Sequence, residues 1–266
     1  MDPLRRNNVN IVGNPDAGRT LLFSHGFGSD QSTWQSVWPS FADRFRIVLF
    51  DHVGHGTSDP AAFSQHRYLS LRNYALDLLD LCRDLRLRDV VAVGHSMGAM
   101  IALLASIQHP EHFSRLVLIG ASARYVDDDG YRGGFSPDDL ASTYRAILEN
   151  YRGWVGQFAP LMVGDAHPEN FTRDFARSLG AMPMQSALTV ACSIFQSDHR
   201  ADLPHVSRPT LIVQTRNDPA VPPQAAQYLA EHIPGSQYRE IDTTGHLPHV
   251  TAPDAVIAAM RDFVLA

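Results

Sequence analysis

Apolar runs of strand length recur along the chain and alternate with stretches whose apolar residues fall at helical spacing. Val9, Ile11 and Val12 mark a short first strand, and Thr20-Leu21-Leu22-Phe23-Ser24 and Arg46-Ile47-Val48-Leu49-Phe50 read as buried ones. Val90-Val91-Ala92-Val93, Ser114-Arg115-Leu116-Val117-Leu118-Ile119, Pro209 to Thr215 and Gln237 to Ile241 continue the series. Between them, Ser32 to Phe45 carries Trp34, Val37, Trp38 and Phe41 at helical spacing, which predicts a covering helix. Leu71 to Leu85, Gln224 to His232 and Ala255 to Leu265 predict three more helices, the first and last with one apolar face. Strands that are apolar on both faces and alternate with helices imply a parallel sheet covered on each side. Such sheets bind ligands at the carboxyl ends of their strands.

The alternation breaks once. From Tyr125 to about Phe195 no strand pattern is evident, only helical runs rich in aromatic residues. The expected organisation is one α/β core, residues 1–124 and 196–266, interrupted by a helical lid over residues 125–195. A lid over a cavity must turn some side chains inward.

Candidate chemistry centres on Gly94-His95-Ser96-Met97-Gly98, which lies between the Val90–Val93 strand and the Ala/Met/Leu-rich run that follows. A strand reversing into a helix within a few residues strains the backbone at the apex, and small neighbours let the chain pass close to itself. Gly94 and Gly98 supply those neighbours, so Ser96 is read as a nucleophile on a sharp bend rather than as a helix cap. A serine hydroxyl needs a base, and the base needs a carboxylate to fix its tautomer. Among the 13 histidines, His246 follows a strand and Gly245 and precedes the final helix; His249 is its nearest rival. Asp218, in the loop ending the Pro209–Thr215 strand, is the acid in the chain order Ser, acid, His. The oxyanion donors are the backbone N–H groups of Met97, next to the nucleophile, and Phe27, in the His25-Gly26-Phe27-Gly28 loop.

Composition narrows the field. Over 266 residues, 44% are hydrophobic and 19% charged, and the net charge is −6, which argues against nucleic acid or an acidic membrane surface as partner. Gln31 stands where a dinucleotide loop would need its third glycine. Asp51, His52 and His55 lack a further ligand at metal-binding spacing, so no metal and no organic cofactor is expected. Cys82 and Cys192 read as small buried hydrophobes. Without an apolar leader or a run of about 18 apolar residues, the protein is expected to be cytoplasmic.

With these residues in place, the chain resembles the RsbQ-type bacterial stress-signalling hydrolases and the plant karrikin and strigolactone receptors. The segments that carry the resemblance include His25-Gly26-Phe27-Gly28-Ser29-Asp30-Gln31, Val93-Gly94-His95-Ser96, Gly133-Gly134-Phe135, Phe158-Ala159-Pro160-Leu161 and Gly245-His246-Leu247-Pro248-His249. The resemblance implies an α/β-hydrolase fold, a mostly parallel sheet flanked by helices, with a four-helix lid inserted after the sixth strand. It also implies a Ser96/Asp218/His246 triad and a hydrophobic pocket lined by His25, Phe27, Phe135, Trp154, Phe158 and Phe195. The expected substrates are small hydrophobic esters or lactones, butenolide-like, cleaved through an acyl-enzyme. A second reading from the same resemblance is a ligand-responsive signalling protein, with slow hydrolysis and a protein partner at the lid. The His52-Val53-Gly54-His55 loop and Met97 depart from the family pattern.

Overall fold

The computed structural model describes residues 1–266. In chain order the elements are α1 (Pro3–Arg6), β1 (Asn10–Gly13), β2 (Thr20–Ser24), β3 (Arg46–Leu49), α2 (Leu71–Asp84), β4 (Val90–His95), α3 (Met97–Gln108) and β5 (Phe113–Ile119). There follow α4 (Pro137–Glu149), α5 (Tyr151–Val163), α6 (Glu169–Ala181) and α7 (Met184–Phe195), then β6 (Thr210–Asn217), α8 (Pro223–His232), β7 (Gln237–Thr244), α9 (Pro248–Thr251) and α10 (Pro253–Leu265).

The seven strands form one sheet in the order β1-β3-β2-β4-β5-β6-β7. Only β1 runs antiparallel, pairing Asn10 with Leu49; every other pair is parallel. The apolar runs that predicted strands are the fully buried central ones: β2 and β4 expose nothing on either face. One face packs against α2 and α3, with Leu22, Ala92, Leu116 and Ile212 in that core. The other face, carrying Leu21, Phe23, Val91 and Val117, is covered by Trp34, Phe41 and Phe45 and by Val256, Met260 and Val264 of α10. Because α3 packs on the sheet and on α2, it is apolar all round, and every residue from Met97 to Ser106 is buried.

The structure departs from the sequence pattern at two points. The Ser32–Phe45 covering helix is instead a pair of 3₁₀ turns, Gln31–Trp34 and Trp38–Phe41. Pro39 has no N–H to donate, and its ring would strike the Gln35 carbonyl of a continuous α-helix. The apolar spacing still does its packing work, since Trp34, Val37 and Phe41 are all buried. Second, the helical insertion leaves the sheet after its fifth strand, β5, one earlier than the expected count, because a single edge strand precedes β2.

The insertion consists of α4 to α7, and the chain turns through 104° between α6 and α7. Helix α4 starts with a capping box in which the Ser136 hydroxyl and the Asp139 carboxylate satisfy each other's backbone N–H groups. Both cysteines are free; Cys82 is buried and Cys192 half-buried beside the Tyr144 hydroxyl. No single helix is long and apolar enough to cross a membrane.

Candidate active site

The site is built on the turn from β4 into α3. Ser96 sits there at φ 52°, ψ −119°, the left-handed side of backbone space, which costs a residue with a Cβ about 1–3 kcal/mol. What holds it is the packing on either side. Its N–H donates to the Ile119 carbonyl at 2.8 Å, tying the bend to β5. A Cβ on Gly94 would meet the Ala99 backbone, and one on Gly98 would meet the Ser24 and His25 carbonyls. Neither obstacle is a flexible side chain, so Gly98→Ala should push α3 off β2 and misplace Ser96. The expected outcome is a melting temperature lower by several degrees, together with loss of Ser96 chemistry; an unchanged melting curve and full activity would contradict this account of the bend.

The loops after β6 and β7 bring Asp218 and His246 to Ser96. The Ser96 hydroxyl donates to His246 Nε2 at 2.9 Å, and His246 Nδ1–H donates to Asp218 at 2.8 Å. Asp218, whose side chain is fully buried, also accepts from the Ala220 and Val221 N–H groups at 2.8 and 3.1 Å and from Gln214 Nε2 at 3.3 Å. Those donors fix the carboxylate plane, and the carboxylate in turn fixes the imidazole tautomer. The His246 backbone is held as well: its N–H donates to the Met162 carbonyl at 2.7 Å, and its own carbonyl accepts from His95 Nε2 at 2.7 Å. His249, the rival base, lies behind His95 with ring centroids 4.3 Å apart, and its ring nitrogens bond to neither Ser96 nor Asp218.

Two backbone N–H groups are left free near the serine. Met97 is the first residue of α3, where an N–H has no intrahelical acceptor, and the Phe27 N–H finds none in its loop. Beside them is a cavity of about 30 Å³, walled by Phe27, Tyr125, Phe158, Phe175, Phe195 and Leu247, with Met162, Ile194 and Ala220 between them. That is room for a water molecule or two, against several hundred cubic ångströms for common ligand pockets.

Of the residues expected to line the pocket, Phe27, Phe158 and Phe195 do so. Three do not. Trp154 is one layer out, stacked on Phe158 at 4.8 Å, and Phe135 backs Phe195 at 5.4 Å; both shape the wall through the ring in front. His25 turns away under the Phe27 loop, where its Nδ1–H donates to the Gly26 carbonyl and its Nε2 accepts the His52 N–H at 2.9 Å. It braces the Phe27 loop rather than facing the cavity.

Sequence reasoning missed Tyr125, Met162 and Phe175. Tyr125 is the first residue past the core, and its buried hydroxyl lies 3.4 Å from Ser96 Oγ; desolvation pushes its pKa up, keeping the phenol protonated. Phe175 and Met162 belong to helices whose inward face could be found only by knowing how the insertion sits on the sheet.

Five further histidines surround the site, and all are buried: His25, His52, His55, His95 and His249. Desolvation lowers the pKa of each, to about 3 for His55 and His249. Of the Asp51, His52 and His55 set, two members are already engaged: Asp51 accepts from the Gln31 and Thr57 N–H groups and from Asn8, and His52 Nε2 pairs with the Ser24 hydroxyl at 2.9 Å.

Known proteins match over nearly the whole chain. A hydrolase from Oleispira antarctica superimposes with a TM-score of 0.96 at 35% identity, covering 99% of this chain and 96% of that one. A strigolactone esterase of Pisum sativum is 43% identical over 248 residues, 92% of each chain. A karrikin insensitive 2 receptor of Petunia hybrida is 40% identical over 254 residues, 95% of this chain and 93% of the relative. These similarities bear out the likeness to karrikin and strigolactone receptors expected from the sequence. The family profile described as the alpha/beta hydrolase fold spans residues 19–253, so with the sheet order and the strand-to-helix bend above, the chain belongs to the alpha/beta hydrolase fold family.

Proposed function

We propose that the protein is a serine hydrolase that cleaves small esters or lactones, with Ser96 as nucleophile, His246 as base and Asp218 as the orienting carboxylate. The observation that carries the reading is the unbroken line from Asp218 through His246 to Ser96 Oγ, at 2.8 and 2.9 Å, beside two unpaired N–H groups. As Ser96 Oγ attacks the carbonyl carbon, its proton passes to His246 Nε2. The carbonyl oxygen takes up the negative charge and is held by the Phe27 and Met97 N–H groups, each donor contributing about 3–4 kcal/mol in the transition state. Collapse breaks the C–O bond, and His246 gives its proton to the departing alkoxide, leaving an acyl-Ser96 ester. Water then attacks that ester, with His246 accepting the water's proton and returning it to Ser96 Oγ.

Residues 125–195 act as a lid in this reading. The aromatic cavity favours a small apolar acyl group, and a larger one requires its walls to move apart. That requirement, with relatives at about 40% identity named as receptors, supports the second reading: a ligand-responsive signalling protein whose lid meets a partner protein.

The test is steady-state hydrolysis of p-nitrophenyl acetate by the wild-type chain and by Asp218→Asn, which leaves the imidazole without its orienting charge. Saturable turnover that falls about 10³- to 10⁴-fold in the variant is expected. Equal rates in the two proteins would overturn the assignment. A single turnover per molecule, with a ligand-induced drop in melting temperature, selects the receptor reading.

A further inference from the structure

A second, much larger space lies next to the catalytic cavity. It is a groove of about 1260 Å³ between the 29–36 and 54–63 loops of the core and the α6–α7 end of the insertion. Phe175 and Leu247 wall both spaces, so these two side chains stand between them. Leu247 directly follows His246 in the chain. The groove therefore approaches the cavity from the side of the imidazole, where the departing alcohol takes its proton.

Two buried polar side chains border this groove without a hydrogen bond of ordinary geometry. Ser29 and His55 are each only 1% exposed, and neither the Ser29 hydroxyl nor either ring nitrogen of His55 makes a well-formed hydrogen bond. The His52 and Val53 carbonyls are near the imidazole without closing one. A neutral imidazole carries one donor and one acceptor, a hydroxyl one donor and two lone pairs, and leaving such groups unpaired in a protein interior is unfavourable. His55 also packs edge-on against Phe27, with ring centroids 6.2 Å apart, which places it between the oxyanion loop and the groove. Its ring stays uncharged because burial holds its pKa down. The carboxylates bordering the groove are already committed: Asp51 to the Gln31 and Thr57 N–H groups and Asn8, Asp30 to the Ser32 N–H, and Asp174 to Arg177. An anion would meet net negative charge there, whereas a neutral group rich in hydroxyls would satisfy what is unpaired.

We propose that this groove receives the alcohol portion of the ester and that this portion is an uncharged polyol, hydrogen-bonded by Ser29 and His55. The assignment rests on the hydrolase reading above and adds the substrate class: a short acyl group esterified to a hydroxylated alcohol.

The test compares glycerol 1-monoacetate with propyl acetate, which share the acyl group and the length of the alcohol. The ratio of their kcat/KM values is normalised to their ratio in alkaline hydrolysis. A preference of about tenfold for the glycerol ester is expected in the wild-type protein, the effect of one or two added hydrogen bonds. Ser29→Ala and His55→Phe should each bring the normalised ratio toward one, and the conservative Ser29→Ala keeps the test valid where His55→Phe does not fold. A wild-type ratio near one, or a preference that survives Ser29→Ala, overturns the groove assignment while p-nitrophenyl acetate turnover leaves the hydrolase reading standing. No turnover of p-nitrophenyl acetate overturns both.

Discussion

Ser96→Ala is expected to lower the hydrolysis of p-nitrophenyl acetate by about 10⁴- to 10⁶-fold, because the attacking atom and the covalent intermediate vanish together. Little else should change. The Ser96 side chain is 150 positions from its imidazole partner in sequence, and its remaining hydroxyl neighbour is Tyr125 at 3.4 Å. Alanine at φ 52° carries the same backbone strain as serine, so the melting temperature should stay within a few degrees of wild type. Ligand binding should persist, which makes this variant the means of separating catalysis from recognition. A variant that retains a tenth of the wild-type rate would mean that the reaction runs through another group.

The second large effect is on acid stability. His25, His52, His55, His95 and His249 are all buried with pKa values lowered by desolvation. In the unfolded chain each protonates near 6.5, while in the folded protein His55 and His249 stay neutral down to about 3. Below about pH 6.5 the unfolded state thus binds more protons, and stability falls as pH falls. Above that pH these groups have no effect. Each fully shifted histidine removes about 1.4 kcal/mol per pH unit, and a domain holds only about 5–15 kcal/mol in all. Cooperative acid unfolding with a midpoint above about pH 4.5 follows, measurable by circular dichroism.

His249→Phe provides the control. That imidazole lies between Trp34 and His95, at 4.4 and 4.3 Å, with both nitrogens unpaired. Replacing it with an apolar ring should move the acid midpoint down by about half a pH unit. An acid midpoint that does not move would mean the buried imidazoles do not govern it.

Much of this architecture could be read from residue patterns. The central strands were legible because a parallel strand covered on both faces is apolar at every position, as in Leu21-Leu22-Phe23 and Val90-Val91-Ala92-Val93. The bend at Ser96 was legible because its two glycines have a steric purpose that a helix cap lacks. Side-chain direction was harder. Trp154 and Phe135 have the apolar character of pocket residues, yet they stand behind Phe158 and Phe195, since apolar periodicity reports burial and not which buried layer a ring occupies. His25 is close to Phe27 in sequence but turns toward His52. Phe175 and Met162 became site residues only through the docking of the insertion on the sheet, which no local pattern encodes. Pro39 was visible in the sequence, and its weight against the Trp34–Phe41 spacing explains why two 3₁₀ turns replace one helix.

In the proposed mechanism Ser96 Oγ is an activated nucleophile because His246 and Asp218 stand in line behind it. Treatment with diisopropyl fluorophosphate, followed by peptide mass spectrometry, tests this directly. The account predicts one stoichiometric phosphoryl adduct on Ser96, formed at least about 10³-fold more slowly when His246 is replaced by alanine. An unmodified Ser96, or labelling at the same rate without the imidazole, would contradict it.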